Sequence, residues 1–272
     1  MDLKPWHNKM FEVLCIIDDI CTREGIRYFL DSGTAIGAVR EHDFIPWDDD
    51  VDIKVLREDY PAFCDAMKRC LPEHYKLIMP EDYSPGFFDF VPRIIDDRIP
   101  LRPETAEDTY YHNYQNRLGV DIFIFDRAPN SPVAQQILLL CSKIIYGMAM
   151  SKRYQLTMDS YSHIQKLQIQ ILSLLGKPFR QQTLCHLWSA ISQLWKGTNS
   201  NWRFPSNFTL EEQRFFPEKI YEGTAFLPFH GRKFPLPSGY DEELTRLYGD
   251  YMKPPADISA YRTHITLDVE EQ

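Results

Sequence analysis

The chain lacks a Cys-x-x-Cys pair and any Cys/His spacing of a zinc site; its six cysteines, Cys15, Cys21, Cys64, Cys70, Cys141 and Cys185, are scattered through 272 residues. This excludes a small disulfide-stapled scaffold and predicts reduced, mostly buried thiols. Positive charge is also in deficit, with 30 Lys and Arg against 39 Asp and Glu and a net charge of −9. A duplex binder held by general phosphate neutralisation is therefore excluded, and no nucleic-acid partner is expected. Any anion must be held locally. With only 12 glycines, and 19 prolines spread without period, the chain is no low-complexity or collagen-like polymer. The longest apolar stretch, Ile137 to Met150, is broken by Lys143 and is shorter than the roughly 20 residues that a membrane-spanning helix needs. Glu12, Asp18 and Asp19 interrupt the first apolar run, which argues against a cleavable signal and for a cytoplasmic chain.

What remains is 44% apolar and 25% charged residues, enough for one large core or a core with a smaller second unit. Met10, Val13, Leu14, Ile17 and Ile20 recur at helical spacing ahead of Gly25, which predicts a first helix from Trp6 to Cys21. A short strand at Tyr28 to Leu30 runs into the small-residue turn Ser32-Gly33-Thr34, and a helix follows from Ala35 to Arg40. The alternation in Asp48 to Val55 predicts a strand, Tyr60 to Leu71 a helix, and Tyr75 to Met79, Phe87 to Ile95 and Val120 to Phe125 further strands. Helical periodicity then dominates to Lys196, with Leu184, Leu187, Trp188, Ile191, Leu194 and Trp195 on one face. The expected class is α/β (α+β), divided into a core over 1–130, a helical subdomain over 131–200 and a C-terminal segment over 201–272 that completes the core.

Two features carry chemistry. Residues two apart on a strand share a face, so Asp50 and Asp52 project together, with Asp48 on the same parity. Such carboxylates repel one another unless a cation lies between them, and Mg²⁺ is bound through one or two carboxylates plus substrate phosphates. The small-residue turn at Ser32, Gly33 and Thr34 offers backbone N–H groups to an anion. Asp121, mid-strand among apolar neighbours, needs a partner if buried.

The run from Tyr28 to Arg40, then Ile45 to Asp52, Val120 to Phe123, and the tail from Phe229 to Pro237 with Tyr240-Asp241 and Tyr248 to Met252, resembles the LicD family of phosphorylcholine transferases, fukutin relatives within the nucleotidyltransferase superfamily. The resemblance implies a nucleotidyltransferase-type mixed-sheet core. Ser32, Gly33 and Thr34 would cradle the donor phosphate, and Asp50, Asp52 and Asp121 would bind Mg²⁺ or Mn²⁺, with Asp48 as an extra ligand. The implied reaction moves phosphocholine from CDP-choline to a sugar hydroxyl of a lipid-linked cell-surface glycan precursor, in lipopolysaccharide or teichoic acid, at the inner face of the cell membrane. Arg40, Arg93 and Arg98 are candidate phosphate clamps. Trp47, or Tyr110, Tyr111 and Tyr114 around His112, could cage a choline. The helical middle is a candidate peripheral membrane contact. One departure stands out: Ile124-Phe125-Asp126 replaces the proline-containing segment usual in the family. Rival readings are the same fold with ribitol phosphate, glycerol phosphate or a sugar phosphate as cargo, a non-catalytic binding relative, and a metal-dependent phosphodiesterase.

Overall fold

Helix α1 (Lys4–Glu24) opens with Pro5 in its first turn and stops at Gly25, whose φ of 67° is left-handed. Its apolar face, including Val13, Leu14 and Ile17, is buried against the sheet residues Ile53, Val55, Val120 and Ile122. Strand β1 (Phe29–Leu30) leads into helix α2 (Ser32–Ile36), which runs on as a π-helical turn over Gly37–Glu41. The expected turn is thus already the first turn of the helix, because the Asp31 side chain accepts the Ser32 N–H as a cap. Gly37 permits the chain to double back, since a Cβ there would lie 2.5 Å from the Asp43 carbonyl oxygen. The computed structural model describes residues 2–158, 161–207, 214–255, 257 and 263–267.

Next come β2 (Asp52–Leu56), α3 (Tyr60–Cys70), β3 (Tyr75–Ile78), β4 (Arg93–Pro100), α4 (Ala106–Tyr110) and β5 (Arg117–Ala128). Strands β2 and β5 pair in parallel, and β1 and the β3–β4 pair flank them antiparallel in a mixed sheet. The predicted strand over Phe87 to Ile95 begins only at Arg93. Before it, Phe90 is drawn away to stack on Trp188 with ring centroids 4.1 Å apart. Tertiary packing overrides the strand preference of these aromatics.

The chain leaves the sheet at Ala128 for α5 (Pro132–Ala149), α6 (His163–Gly176) and α7 (Gln181–Ser192), and returns in β6 (Trp202–Pro205), whose Trp202 pairs with Ala128. Helix α5 and its 3₁₀ extension to Lys152 form one run that is long and apolar enough, by length and composition, to cross a membrane. This differs from the shorter, interrupted stretch read from the sequence. Leu138, Ile145 and Ala149 on one side of it are buried in protein clusters containing Phe204, Leu184 and Trp188.

Strand β7 (Phe216–Pro217) extends the sheet edge, the hairpin of β8 (Thr224–Phe229) and β9 (Arg232–Pro237) packs along α1, where Phe234 meets Phe11 and Arg232 bonds Asp18 and Asp19, and α8 (Tyr240–Tyr248) closes the core. This C-terminal part is anchored by buried ions. Lys54 Nζ lies 2.8 Å from Asp31 and 2.6 Å from Glu243, and the Tyr221 hydroxyl donates to Glu243 at 2.6 Å. Asp126 accepts a two-pronged bond from Arg57 at 2.8 and 2.7 Å and a third from Ser206. The departure from the family pattern therefore has its own partner set. Asn207-Phe208-Thr209 fits a glycosylation sequon, of which Phe208 and Thr209 lie outside the described residues; the Asn207 side chain accepts from the Ile124 N–H and donates to the Ile122 carbonyl. All six cysteines are unpaired.

Candidate active site

The site grows from two adjacent strands. In the parallel pairing of β2 with β5, Asp52 stands opposite Asp121, so folding sets side by side two carboxylates that lie far apart in sequence. The Asp52 backbone N–H donates to Thr34 Oγ1 at 2.9 Å, and its carbonyl accepts the Asp31 N–H at 3.0 Å, which locks the head of β2 to the start of α2. The acidic loop before β2 is pinned from outside. His7 Nε2 donates to the Asp48 carbonyl at 2.8 Å, its ring stacked on Phe44, while Asp49 accepts from the Thr263 hydroxyl at 2.8 Å and from the His264 backbone N–H.

Electrostatics follow from that crowding. Burial, then repulsion by Asp50 and Asp121, pushes the Asp52 carboxyl well above the usual carboxylate range. Burial and the neighbouring Asp50 push Asp48 up to about 8, and burial and Asp49 raise Asp50. Burial raises Asp121 to about 6 even though Arg93 pulls it down, since Asp89 and Asp50 oppose the arginine. Asp49 is the exception: burial would raise it, but bonds from His264 and Thr263 leave it below its ordinary value. The cluster holds more negative charge than its protein partners offset.

Among the described residues, no three His, Cys, Asp or Glu side chains are gathered closely enough to ligate one ion as they stand. Asp48 and Asp50 share a side-chain hydrogen bond, while Asp121 faces Arg93 Nε at 2.9 Å. The structure thus brings Asp48, Asp50, Asp52 and Asp121 into one neighbourhood without forming a single ligand shell. All-oxygen donors carrying surplus charge suit a hard divalent cation, and Mg²⁺ asks for only one or two carboxylates when phosphates supply the rest.

Beside Asp50 and Asp121 opens a cleft of about 220 Å³ whose walls include Arg93, Arg102, Arg117 and His264. Arg93 also bonds Asp89 at 2.6 Å and lies over the Phe88 ring, 5.1 Å from its centroid. Arg102 is held by Asp108 and Arg117 by Glu104. Asp108 is fully buried, so Arg102 is fixed at its base. The sequence reading missed Arg102, Arg117, His264 and His7. Each lies far from the acidic motif in sequence, and only the spacing of Arg117 on the same strand as Asp121 carried a signal.

Other candidates sit elsewhere. Arg98 pairs with Asp96 at 2.5 Å, over the Tyr75 ring and outside the cleft wall. Arg40 bonds Glu41 and the Tyr251 carbonyl and approaches the Trp47 ring at 6.0 Å, so Arg40 and Trp47 form a group on the tail side rather than in this cleft. Ser32, Gly33 and Thr34 do not line it either. The Gly33 backbone abuts the acidic loop, where a Cβ would come within 2.2 Å of Asp48 Oδ2. With the Ser32 N–H given to Asp31 and the Thr34 hydroxyl accepting from Asp52, this turn holds the carboxylates in place. Tyr111 is buried with its hydroxyl on the Phe87 carbonyl, while Tyr110 and Tyr114 pack half-buried in the same cluster. His42 bonds the Ala38 carbonyl, and His230 reaches across the sequence to Asp43 and Asn8.

Comparison with known proteins agrees with this geometry. The profile of the LicD/FKTN/FKRP nucleotidyltransferase domain matches residues 25–138, which span both aspartate strands. The chain is 30% identical over 256 residues to the lipopolysaccharide cholinephosphotransferase LicD of Haemophilus influenzae, covering 90% of this chain and 89% of that protein. A shorter likeness, 51% over 35 residues, covers 13% of this chain and 7% of the human ribitol 5-phosphate transferase FKRP. An end-to-end match to one member, together with the shared nucleotidyltransferase domain, establishes that this chain belongs to the LicD family.

Proposed function

We propose that the chain transfers phosphocholine from CDP-choline to a sugar hydroxyl of a cell-surface glycan precursor, in lipopolysaccharide or teichoic acid, releasing CMP on the cytoplasmic side. The observation that carries this reading is the pairing of Asp52 with Asp121, flanked by Asp48 and Asp50, beside a cleft lined by arginines, in a chain aligned throughout with a cholinephosphotransferase. Asp50 and Asp52 would hold Mg²⁺ or Mn²⁺, with Asp121 and Asp48 completing the set around donor phosphate oxygens. A bound divalent ion offsets the charge that develops on the leaving CMP.

The protein's own groups do the rest. Arg93, with Arg102 and Arg117 behind it, supplies positive charge to donor phosphates at the cleft wall. In the transfer, the acceptor oxygen bonds to the choline-bearing phosphorus, the bond from that phosphorus to the bridging oxygen of CMP breaks, and the hydroxyl proton passes to a carboxylate.

A second reading, ribitol phosphate as cargo, rests on the short FKRP match. CMP release measured with CDP-choline, CDP-ribitol and CDP-glycerol, with Mg²⁺ and a glycan acceptor, separates them. Acceptor-dependent release from CDP-choline above the other two is the expected result. Preference for CDP-ribitol moves the assignment to the second reading, and release of free phosphocholine without acceptor refutes transfer.

A further inference from the structure

The helices inserted between Ala128 and Trp202 differ in character from the rest of the chain. Of the 30 Lys and Arg, seven lie within 131–200, against one of the 39 Asp and Glu, so this segment is +6 and the remainder −15. Its surface is also apolar. Val133, Ile137, Leu140 and Ile144 form an exposed stripe at helical spacing along α5, with Lys143 exposed beside it. On α6 only Gly176 is buried; Ile164 is 72% exposed and Leu174 63%, and Leu167, Ile171 and Leu175 are exposed with them. Lys177 and Arg180 stand exposed where α6 ends.

Apolar side chains in such number, on a helix that buries almost nothing against its own protein, call for a covering partner. We infer that α6 and the outer stripe of α5 lie on the surface of an anionic lipid bilayer. The charge decides between occupants. A two-fold dimer through this face would set +6 against +6, since an isologous interface presents the same surface twice. An acidic headgroup layer complements the lysines, and its acyl boundary takes the leucines and isoleucines. Helix α5 lies along such a surface and does not cross it, because Leu138, Ile145 and Ala149 are already packed in the protein's own clusters. The insertion is tied to the cleft just past the α5 run: Arg153 donates to the Phe88 carbonyl, and Phe88 lines the cleft wall. A lipid-borne acceptor would thus be delivered beside the carboxylates.

The test uses the full chain and vesicles of phosphatidylglycerol with phosphatidylcholine, compared with phosphatidylcholine alone, by co-sedimentation without any nucleotide. It is read independently of the donor, so its failure is distinct from a failure of the phosphocholine assignment. Partition onto anionic vesicles that weakens with added salt is expected, with Lys143→Ala and Lys177→Ala each reducing it about fivefold. Leu167→Asp with Leu174→Asp, both at exposed positions, should reduce it more than tenfold with an unchanged thermal midpoint and unchanged turnover on a soluble acceptor. Equal partition onto both vesicle types, or none onto the anionic ones, overturns the inference. So does a concentration-dependent dimer that the double aspartate variant dissociates while vesicle binding is absent.

Discussion

Replacing Lys54 by Met isolates what the buried ion network contributes. Lys54 is 1% exposed and is shared by Asp31 and Glu243, both buried, with the Phe125 ring 4.7 Å below the ammonium. Burial alone would lower the Lys54 pKa, but the two carboxylates more than reverse this and raise it. Without the lysine, two buried carboxylates face each other, and one must take a proton. Doing so at pH 7, about three pH units above the ordinary carboxyl range, costs roughly 4 kcal/mol at ~1.36 kcal/mol per unit. That agrees with the ~3–5 kcal/mol found when a buried pair loses one member. The retained proton means a folded-state pKa raised above the unfolded one, so stability is present below the unfolded value and lost as pH rises. Urea unfolding should therefore show a loss of about 4 kcal/mol at pH 7 and only ~1 kcal/mol at pH 5. Lys54→Met with Glu243→Gln should recover most of it, because Asp31 keeps its bond from the Ser32 N–H. A loss below ~1 kcal/mol at pH 7, or one that does not change with pH, would refute this reasoning.

Two further outcomes are expected. Asp50→Asn or Asp52→Asn should abolish CMP release while leaving the metal-free thermal midpoint unchanged or raised, since each removes a charge that its neighbours already disfavour; turnover retained by either variant would remove that residue from the metal-binding set. Asp126→Ala should destabilise by about 3 kcal/mol in chemical unfolding, because Arg57 would remain buried without its counter-ion; a change under ~0.5 kcal/mol would show that this pair is dispensable.

Much of this arrangement is legible in one dimension because its cause is local. The α1 stripe and the Gly25 stop depend on neighbours a few residues away, and the helices from Pro132 onward keep their period over several turns; the strand expected from Asp48 begins only at Asp52, so Asp48 and Asp50 reach the site from the loop before it rather than by strand parity. The error at Phe87 has the opposite origin. Its aromatics suit a strand, but their partner is Trp188 on a helix nearly one hundred residues later. Lys54 could have been noticed, since it alternates on the same strand as Asp52, yet Glu243, which shares it, is carried on α8. The cleft depends most on long-range folding: His264 reaches Asp49 from the tail, and Arg102 is fixed by a buried aspartate on a helix that has no motif of its own. The small-residue turn is legible in composition, whereas the bond that ties it to the head of β2, from the Asp52 N–H to Thr34 Oγ1, is made only on folding.

The proposed function requires Asp48, Asp50, Asp52 and Asp121 to act as one divalent-cation site against a nucleotide diphosphate. Calorimetric titration of Mn²⁺ into the protein mixed with CDP-choline, repeated in buffers of different ionisation heat at pH 7, tests this directly. Asp48, held at about 8, must lose its proton to bind a cation, so uptake should release protons, and Asp52→Asn should lose the binding. Absence of Mn²⁺ uptake, or uptake that Asp50→Asn and Asp52→Asn leave unchanged, would contradict it.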